Sequence, residues 1–276
     1  MHGAERQFRV LPGFNLTLGY TMFYLGVIVV VPMAALILKS VELAPAEFLR
    51  LVTTPRAVAA LQLTFGASLV AASINAVFGT LLAWVLVRYE FPGRRLVDSL
   101  IDFPFALPTA VGGLTLADLF GEHGWLGRFL VPMGFQGAFT RAGVVIALTF
   151  VGLPFAVRTL QPILENFERD VEEAAATLGA SRTRTFFTVI APALLPAVLT
   201  GFALAFARAV GEYGSIVFIS GNIPFRTEIA PFLVVIRLEE YDYRGATALA
   251  LVLLVASFLI LAAINKLQLW TNRFTK

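Results

Sequence analysis

Four stretches of this chain run for about 20 residues or more without one charged side chain: 16–38, 61–87, 186–207 and 246–264. A helix needs about 20 apolar residues to cross roughly 30 Å of hydrocarbon, so each is long enough to span a bilayer. Two further apolar segments are less regular. Segment 100–119 carries Asp102, Pro104, Pro108, Gly112, Gly113 and Asp118, and segment 142–157 is cut short by Arg158. The expectation is an all-α integral membrane chain of six transmembrane helices. The overall balance agrees: 58% of residues are hydrophobic and only 14% are charged, too apolar for a soluble domain.

The first apolar run lacks a small-residue cleavage pattern at its end, so it is expected to be a span and not a signal peptide. With no cysteine, disulfides and thiolate metal sites are excluded. A formal net charge of +3 invites a nucleic-acid reading. The bases are scattered between the apolar runs, however, and are not interleaved with aromatics as a nucleic-acid surface requires, so no nucleic-acid partner is expected. Lys and Arg concentrate on the side that stays in the cytoplasm. The short turn from Arg88 to Arg95, with Arg6, Arg9, Arg158, Arg169, Arg182, Arg184, Lys266, Arg273 and Lys276, sets both termini on that side. Residues 1–56 are expected to form an N-terminal helix and an outer loop. Residues 57–270 form the core, with a cytoplasmic loop at 165–185.

The kinked segment 100–119 has two readings. Broken helices survive at membrane depth where protein or a water-filled cavity satisfies the freed backbone groups. A translocation path supplies such a cavity, and a packed kink beside small residues does so equally well.

Segment 165–185 is the one long polar interruption in the second half. Glu165, Glu168, Asp170, Glu172 and Glu173 lead it, and Arg182 and Arg184 close it, the order that complements a helix dipole. Ala174, Ala175, Ala176 and Leu178 favour helix, and Gly179 is a stop signal. Late in the fifth apolar run, Arg208 and Glu212 stand at i and i+4, where a helix brings side chains together. Ionisable groups at membrane depth face a cavity or a partner. The pair therefore either lines a path or bridges helices. Gly201, Gly211 and Gly214 would let another helix approach closely or let the span bend.

Other chemistry is sparse. His2 and His123 are far apart, so no metal cluster is visible. Asp102 and Asp118 lack the spacing of a catalytic dyad and are expected near span ends. No Gly-Lys-Ser or Gly-Lys-Thr exists, so the chain has no phosphate loop and no ATP site of its own. No catalytic residue, metal or cofactor is expected in it.

Glu173-Ala174-Ala175, then Gly179, then Pro192 resembles the EAA loop of ABC importer permeases, with Val189 and Ala191 where that pattern has Ile and Leu. Segments 152–159 and 201–214 extend the resemblance to type I ABC importer permeases for oxyanions. Segments 221–231 and 240–243 look like the T-type, or U-type, subunit of sulfate/thiosulfate permeases. The resemblance covers roughly residues 12–270. It implies a bacterial inner-membrane permease working by alternating access, with Glu172, Glu173, Ala174, Ala175 and Gly179 docking an ATPase. It also implies Arg208, Gly211, Glu212, Gly214 and Ser215 along the translocation path. The partners it implies are two copies of an ABC ATPase that uses ATP-Mg, a second W-type permease or a second copy of the chain, and a sulfate/thiosulfate-binding protein. Composition cannot separate sulfate from molybdate or tungstate, so such a permease is the rival. A passive anion channel is a distant alternative, and an intramembrane enzyme the least favoured.

Overall fold

The computed structural model describes residues 13–167 and 169–271. His2, Glu168 and the terminal cations Arg6, Arg9, Arg273 and Lys276 lie outside them. Helices and turns make up the described residues, without a strand. Five helices are long and apolar enough to cross a membrane: α1 (Phe14–Val41), α3 (Pro55–Arg88), α8 (Arg141–Glu165), α10 (Arg182–Val210) and α13 (Tyr243–Thr271). Four of them extend the apolar runs at both ends, and α8 carries on well past Arg158.

The third expected span is broken. Segment 94–120 forms α4 (Arg94–Ile101), α5 (Phe103–Ala106) and α6 (Thr109–Phe120). Pro108 is the cause of the second break, because a proline pushes the residue before it out of the helical region. Leu107 is extended, with ψ 137°. The outer connections hold four more short helices, α2 (Pro45–Val52), α7 (Gly127–Leu130), α11 (Gly214–Ile219) and α12 (Ala230–Glu239). The polar segment forms α9 (Arg169–Thr177).

Prolines also shape the long spans. Both α1 and α10 contain a π turn, at Gly26–Val30 and Phe186–Ile190, shortly before Pro32 and Pro192. A proline lacks the N–H for the i−4 carbonyl and clashes with it, so the ladder widens there by one residue. Near the inner prolines, side chains add donors to the prolines' own carbonyls: Thr200 Oγ1 donates to Pro196 O (2.8 Å) and Asn166 Nδ2 to Pro162 O (2.7 Å).

Helices α3, α8 and α10 cross one another and form the centre of the molecule. Their crossing is made of small residues. A Cβ on Gly79 would lie 2.7 Å from Ala156 Cβ, and one on Gly201 would lie 3.1 Å from Ala156 Cα. In lipid no hydrophobic force drives helices together, so close backbone approach through such residues supplies the packing. Asn75, only 1% exposed, is wedged beside Gly152, and no group among the described residues satisfies its amide. One apolar cluster lies outward of the crossing, around Ala67, Ala71, Val144, Leu148 and Ile216. Another lies inward, around Leu86, Val157, Leu160 and Leu194. Helix α13 packs on α10 and α12, and α1 packs on α13 at the periphery with no buried residue before Ser40.

The crossing makes a direct prediction. Gly152→Leu places a side chain where the first added carbon would be 2.5 Å from Asn75 Nδ2. Overpacking of this kind costs about 1–3 kcal/mol. The purified variant is expected to unfold at a lower temperature than wild type, while Val77→Leu on the exposed face of α3 leaves that temperature unchanged. Equal stability of the Gly152 variant would mean that the three helices do not meet as described.

Candidate functional site

The candidate residues fall into two groups at opposite ends of α10, whose 29 residues place them roughly 43 Å apart at about 1.5 Å per residue. At the inner end, α9 joins α8 to α10. Its C-terminus is a complete Schellman turn: Ala180 N donates to Ala175 O (3.0 Å) and Gly179 N to Ala176 O (2.9 Å). Gly179 makes the turn possible by taking φ +81°, a left-handed value that side-chain-bearing residues rarely adopt. Nothing lies within 4 Å of the Cβ it lacks. The constraint at Gly179 is therefore conformational and not steric.

The five residues of the inner set are not equivalent. Glu172 turns toward the spans, where its Oε1 accepts a hydrogen bond from Arg88 Nη2 at 2.6 Å. The Arg88 side chain is only 11% exposed and lies over the rings of Trp84 and Phe167. A bond of this kind between a buried guanidinium and a carboxylate ties α9 to the end of α3. Glu173, Ala174 and Gly179 are exposed and Ala175 is half-buried. Val171, Ala174 and Leu178, at i, i+3 and i+7, share one exposed face, with Leu178 88% exposed. This stripe is the apolar side of an otherwise polar helix.

A second polar cluster braces the inner end. Arg158 binds Asp102 in bidentate fashion (2.8 and 2.6 Å) and also Asp98 (2.7 Å) and Gln161. The hydrogen bond from Gln161 comes first, joined by Arg158, in holding the Asp98 carboxyl below the usual carboxylate range. Asp102 thus fixes the broken third span to α8. Sequence reading placed it only near a span end.

At the outer end the structure joins Arg208 and Glu212 as expected (2.5 Å), with one correction. Helix α10 ends at Val210, so Glu212 is not on the face of a continuing helix. It sits in the turn that follows, 2% exposed. Its Oε1 accepts from Ser215 N (2.9 Å) and Ser215 Oγ (3.0 Å) at the start of α11, while Oε2 takes Arg208. Glu212 therefore ties the end of α10 to the beginning of α11. Gly214 and Ser215 pack against α6: a Cβ on Gly214 would lie 2.2 Å from Thr109 Oγ1, and the Ser215 backbone leaves no room for a Cβ on Gly113. Gly211 stands apart on the wall of an apolar cavity of about 600 Å³ shared with Leu36, Tyr213, Val234 and Leu254.

Pairs that cross the sequence were invisible to pattern reading. Arg56 grips Glu228 through two hydrogen bonds (2.8 and 2.7 Å), and Thr64 Oγ1 accepts from Ala230 N (2.8 Å). Together they pin the loop before α12 to α3. The available signal was an acidic residue, Glu228, directly ahead of the apolar run 229–236. Among the described residues no group of three or more metal-ligating side chains occurs.

Residues 75–275 match the family model described as binding-protein-dependent transport system inner membrane component. The sulfate transport system permease protein CysT of Synechococcus elongatus is 55% identical over 255 residues, covering 92% of each chain. The protein of that name from Escherichia coli strain K12 is 46% identical over 260 residues, 94% of each. A probable sulfate transport system permease protein of Nephroselmis olivacea is 53% identical over 254 residues, 92% of this chain and 89% of that one. Among solved structures, a bacterial ABC transporter involved in the import of the acidic polysaccharide alginate superposes with a TM-score of 0.76 at 15% identity, covering 95% of this chain and 96% of that one. The MetNI methionine ABC transporter superposes with a TM-score of 0.57 at 17% identity, covering 78% and 95%. The fold is that of type I ABC importer permeases.

The cap of α9 is testable by itself. Gly179→Val forces a β-branched residue into left-handed backbone, a conformation that costs roughly 1–2 kcal/mol. Hydrogen exchange of the amides at 178–180 is expected to accelerate about tenfold, since ~1.4 kcal/mol is a factor of ten. Unchanged protection would mean that the turn does not depend on this backbone conformation.

Proposed function

The chain belongs to the binding-protein-dependent transport system inner membrane components, and we propose that it is the permease subunit of an ATP-driven sulfate importer. It is a multi-pass inner-membrane protein and a transport subunit, not an enzyme. The observation that carries the substrate is identity of 46–55% over nine-tenths of this chain with permeases named for sulfate transport. No observation favours molybdate, and thiosulfate is the natural second substrate of the same route.

The partners follow from the family's architecture. ATP-Mg is bound and hydrolysed by separate ATPase subunits, one of which takes α9 through Val171, Ala174 and Leu178, with Glu173 and Ala175 beside them. A substrate-binding protein delivers the anion at the other end; one solved structure with the same fold is an alginate transporter in complex with a pentasaccharide-bound periplasmic protein. A second permease, of the W type, completes the path against the exposed face of α3. Both termini lie in the cytoplasm with α9, in keeping with the bases of the Arg88–Arg95 turn.

Force from the ATPase enters at α9 and reaches α3 through Glu172 and Arg88. It reaches α8 and α10 through the chain itself, because α9 is their connector. The crossing of these three spans then moves as one body, and the Arg208–Glu212–Ser215 cluster carries that movement into α11 and the broken segment packed on it. In this reading the cluster is a joint of the gate, and its charge is spent on Glu212 more than on the anion.

Uptake of labelled sulfate in a strain lacking its own sulfate permeases tests the reading, with the partner subunits supplied. Sulfate import that depends on ATP and is competed by thiosulfate is expected. Molybdate import without sulfate import would transfer the chain to the rival class.

A further inference from the structure

Among the described residues, four arginines of the outer end, Arg50, Arg128, Arg141 and Arg226, have no carboxylate partner, and the last two share one cavity. Arg56, Arg208, Arg237 and Arg244 are each ion-paired there. Among the described residues no acid lies within ion-pairing reach of Arg141 or Arg226. Arg141 opens α8 behind its capping residue Thr140. Its Nε donates to the backbone carbonyl of Arg226 (2.9 Å), and the remaining guanidinium donors have no partner among the described residues. The two side chains share the wall of a cavity of about 440 Å³ with Gln136, Thr140 and Thr227. Arg141 also borders an adjoining cavity of about 360 Å³, whose floor on α3 holds Gln62, Gly66 and Val70.

The position of Arg226 is fixed on both sides. Thr227 Oγ1 accepts from Ile223 N (2.9 Å), and the buried Glu228 is held by Arg56. Across the cavity, Phe139 N donates to Ile219 O (2.7 Å). Two guanidinium groups are thus presented by pinned backbone at a mouth that opens toward a span. Their planar donors and permanent charge match a tetrahedral oxyanion. Both residues are exposed, so the field is screened and binding is weak, as a site that must pass its ligand on requires. Gln62 continues the polar surface inward. It lies exposed on a membrane-spanning helix with no hydrogen-bond partner among the described residues, an arrangement expected where a helix faces a cavity and not lipid.

We propose that Arg141 and Arg226 form an anion-receiving site at the outer mouth, which takes a tetrahedral oxyanion as it leaves the binding protein and passes it toward Gln62 on α3. The inference rests on the import reading above and adds the residues that receive the substrate. It shifts the first anion contact from Arg208, which is neutralised by Glu212, to two arginines whose charge is free.

The test uses the complete transporter in lipid vesicles, with sulfate-loaded binding protein outside and ATP inside. Uptake rate at saturating binding protein and the affinity of binding-protein docking are measured for Arg226→Gln, Arg141→Gln and Arg141→Lys. Each glutamine variant is expected to lower saturated uptake about tenfold, with Arg141→Lys intermediate and docking affinity unchanged within about twofold. Wild-type uptake in both glutamine variants would overturn the proposal. So would weakened docking with uptake fully recovered at saturation, because the arginines would then bind carboxylates of the binding protein. Should Arg141→Gln fail to assemble, Arg226→Gln decides, since the backbone carbonyl that Arg141 uses is retained. If wild type itself imports no sulfate, the import reading has failed and not this one.

Discussion

Everything else in the molecule hangs on the close crossing of α3, α8 and α10. Lipid gives apolar side chains no reason to leave it, so the three spans are held by dispersion between backbones brought near each other. Gly79, Gly152, Ala156, Gly201 and Ala205 permit that approach. The crossing divides the interior into an inner and an outer apolar cluster, and both ends of the molecule are built outward from it. Helix α1 is peripheral to this arrangement, and the family match begins only at residue 75.

Charge pairs finish what the small residues begin. At the inner end Arg88–Glu172 fixes α9, and Arg158 fixes the broken third span through Asp98 and Asp102. At the outer end Arg208–Glu212 joins α10 to α11, and Arg56–Glu228 anchors the loop before α12. In two of these four, one carboxylate is almost wholly buried, Glu212 at 2% and Glu228 at 2% exposed. Removing one partner of a buried pair costs about 3–5 kcal/mol, because the other charge is left stranded. Each pair lies where a span passes into a connection, so the same bonds that hold the structure are the points through which a push on α9 would travel.

Much of this was legible in the residues. The charge-free runs announced α1, α3, α10 and α13, and the alanines and Gly179 announced α9 and its end. The i, i+4 spacing of Arg208 and Glu212 gave their contact but not its form. Gly211 and the turn after it end the helix before Glu212, and periodicity carries no information about that stop. Pro104 and Pro108 warned of irregularity in the third span without saying where it would break. The remainder depends on partners far apart in sequence: Arg88 and Glu172 are 84 residues apart, Arg56 and Glu228 172. No local pattern encodes those pairs, so the dual nature of α9, one side held by Arg88 and the other left apolar and open, emerged only from the fold. The freedom of Arg141 and Arg226 was hidden for the same reason, since being unpaired is a property of surroundings.

The central claim is that α9 drives the spans through the Arg88–Glu172 bond. Arg88→Glu, Glu172→Arg and the double exchange, each in the complete transporter in vesicles, test it by the ratio of sulfate imported to ATP hydrolysed. Each single reversal is predicted to lower that ratio about tenfold with the ATPase subunits still bound, and the double exchange to recover much of it, as coupled partners do. A single reversal that keeps the wild-type ratio would contradict the account.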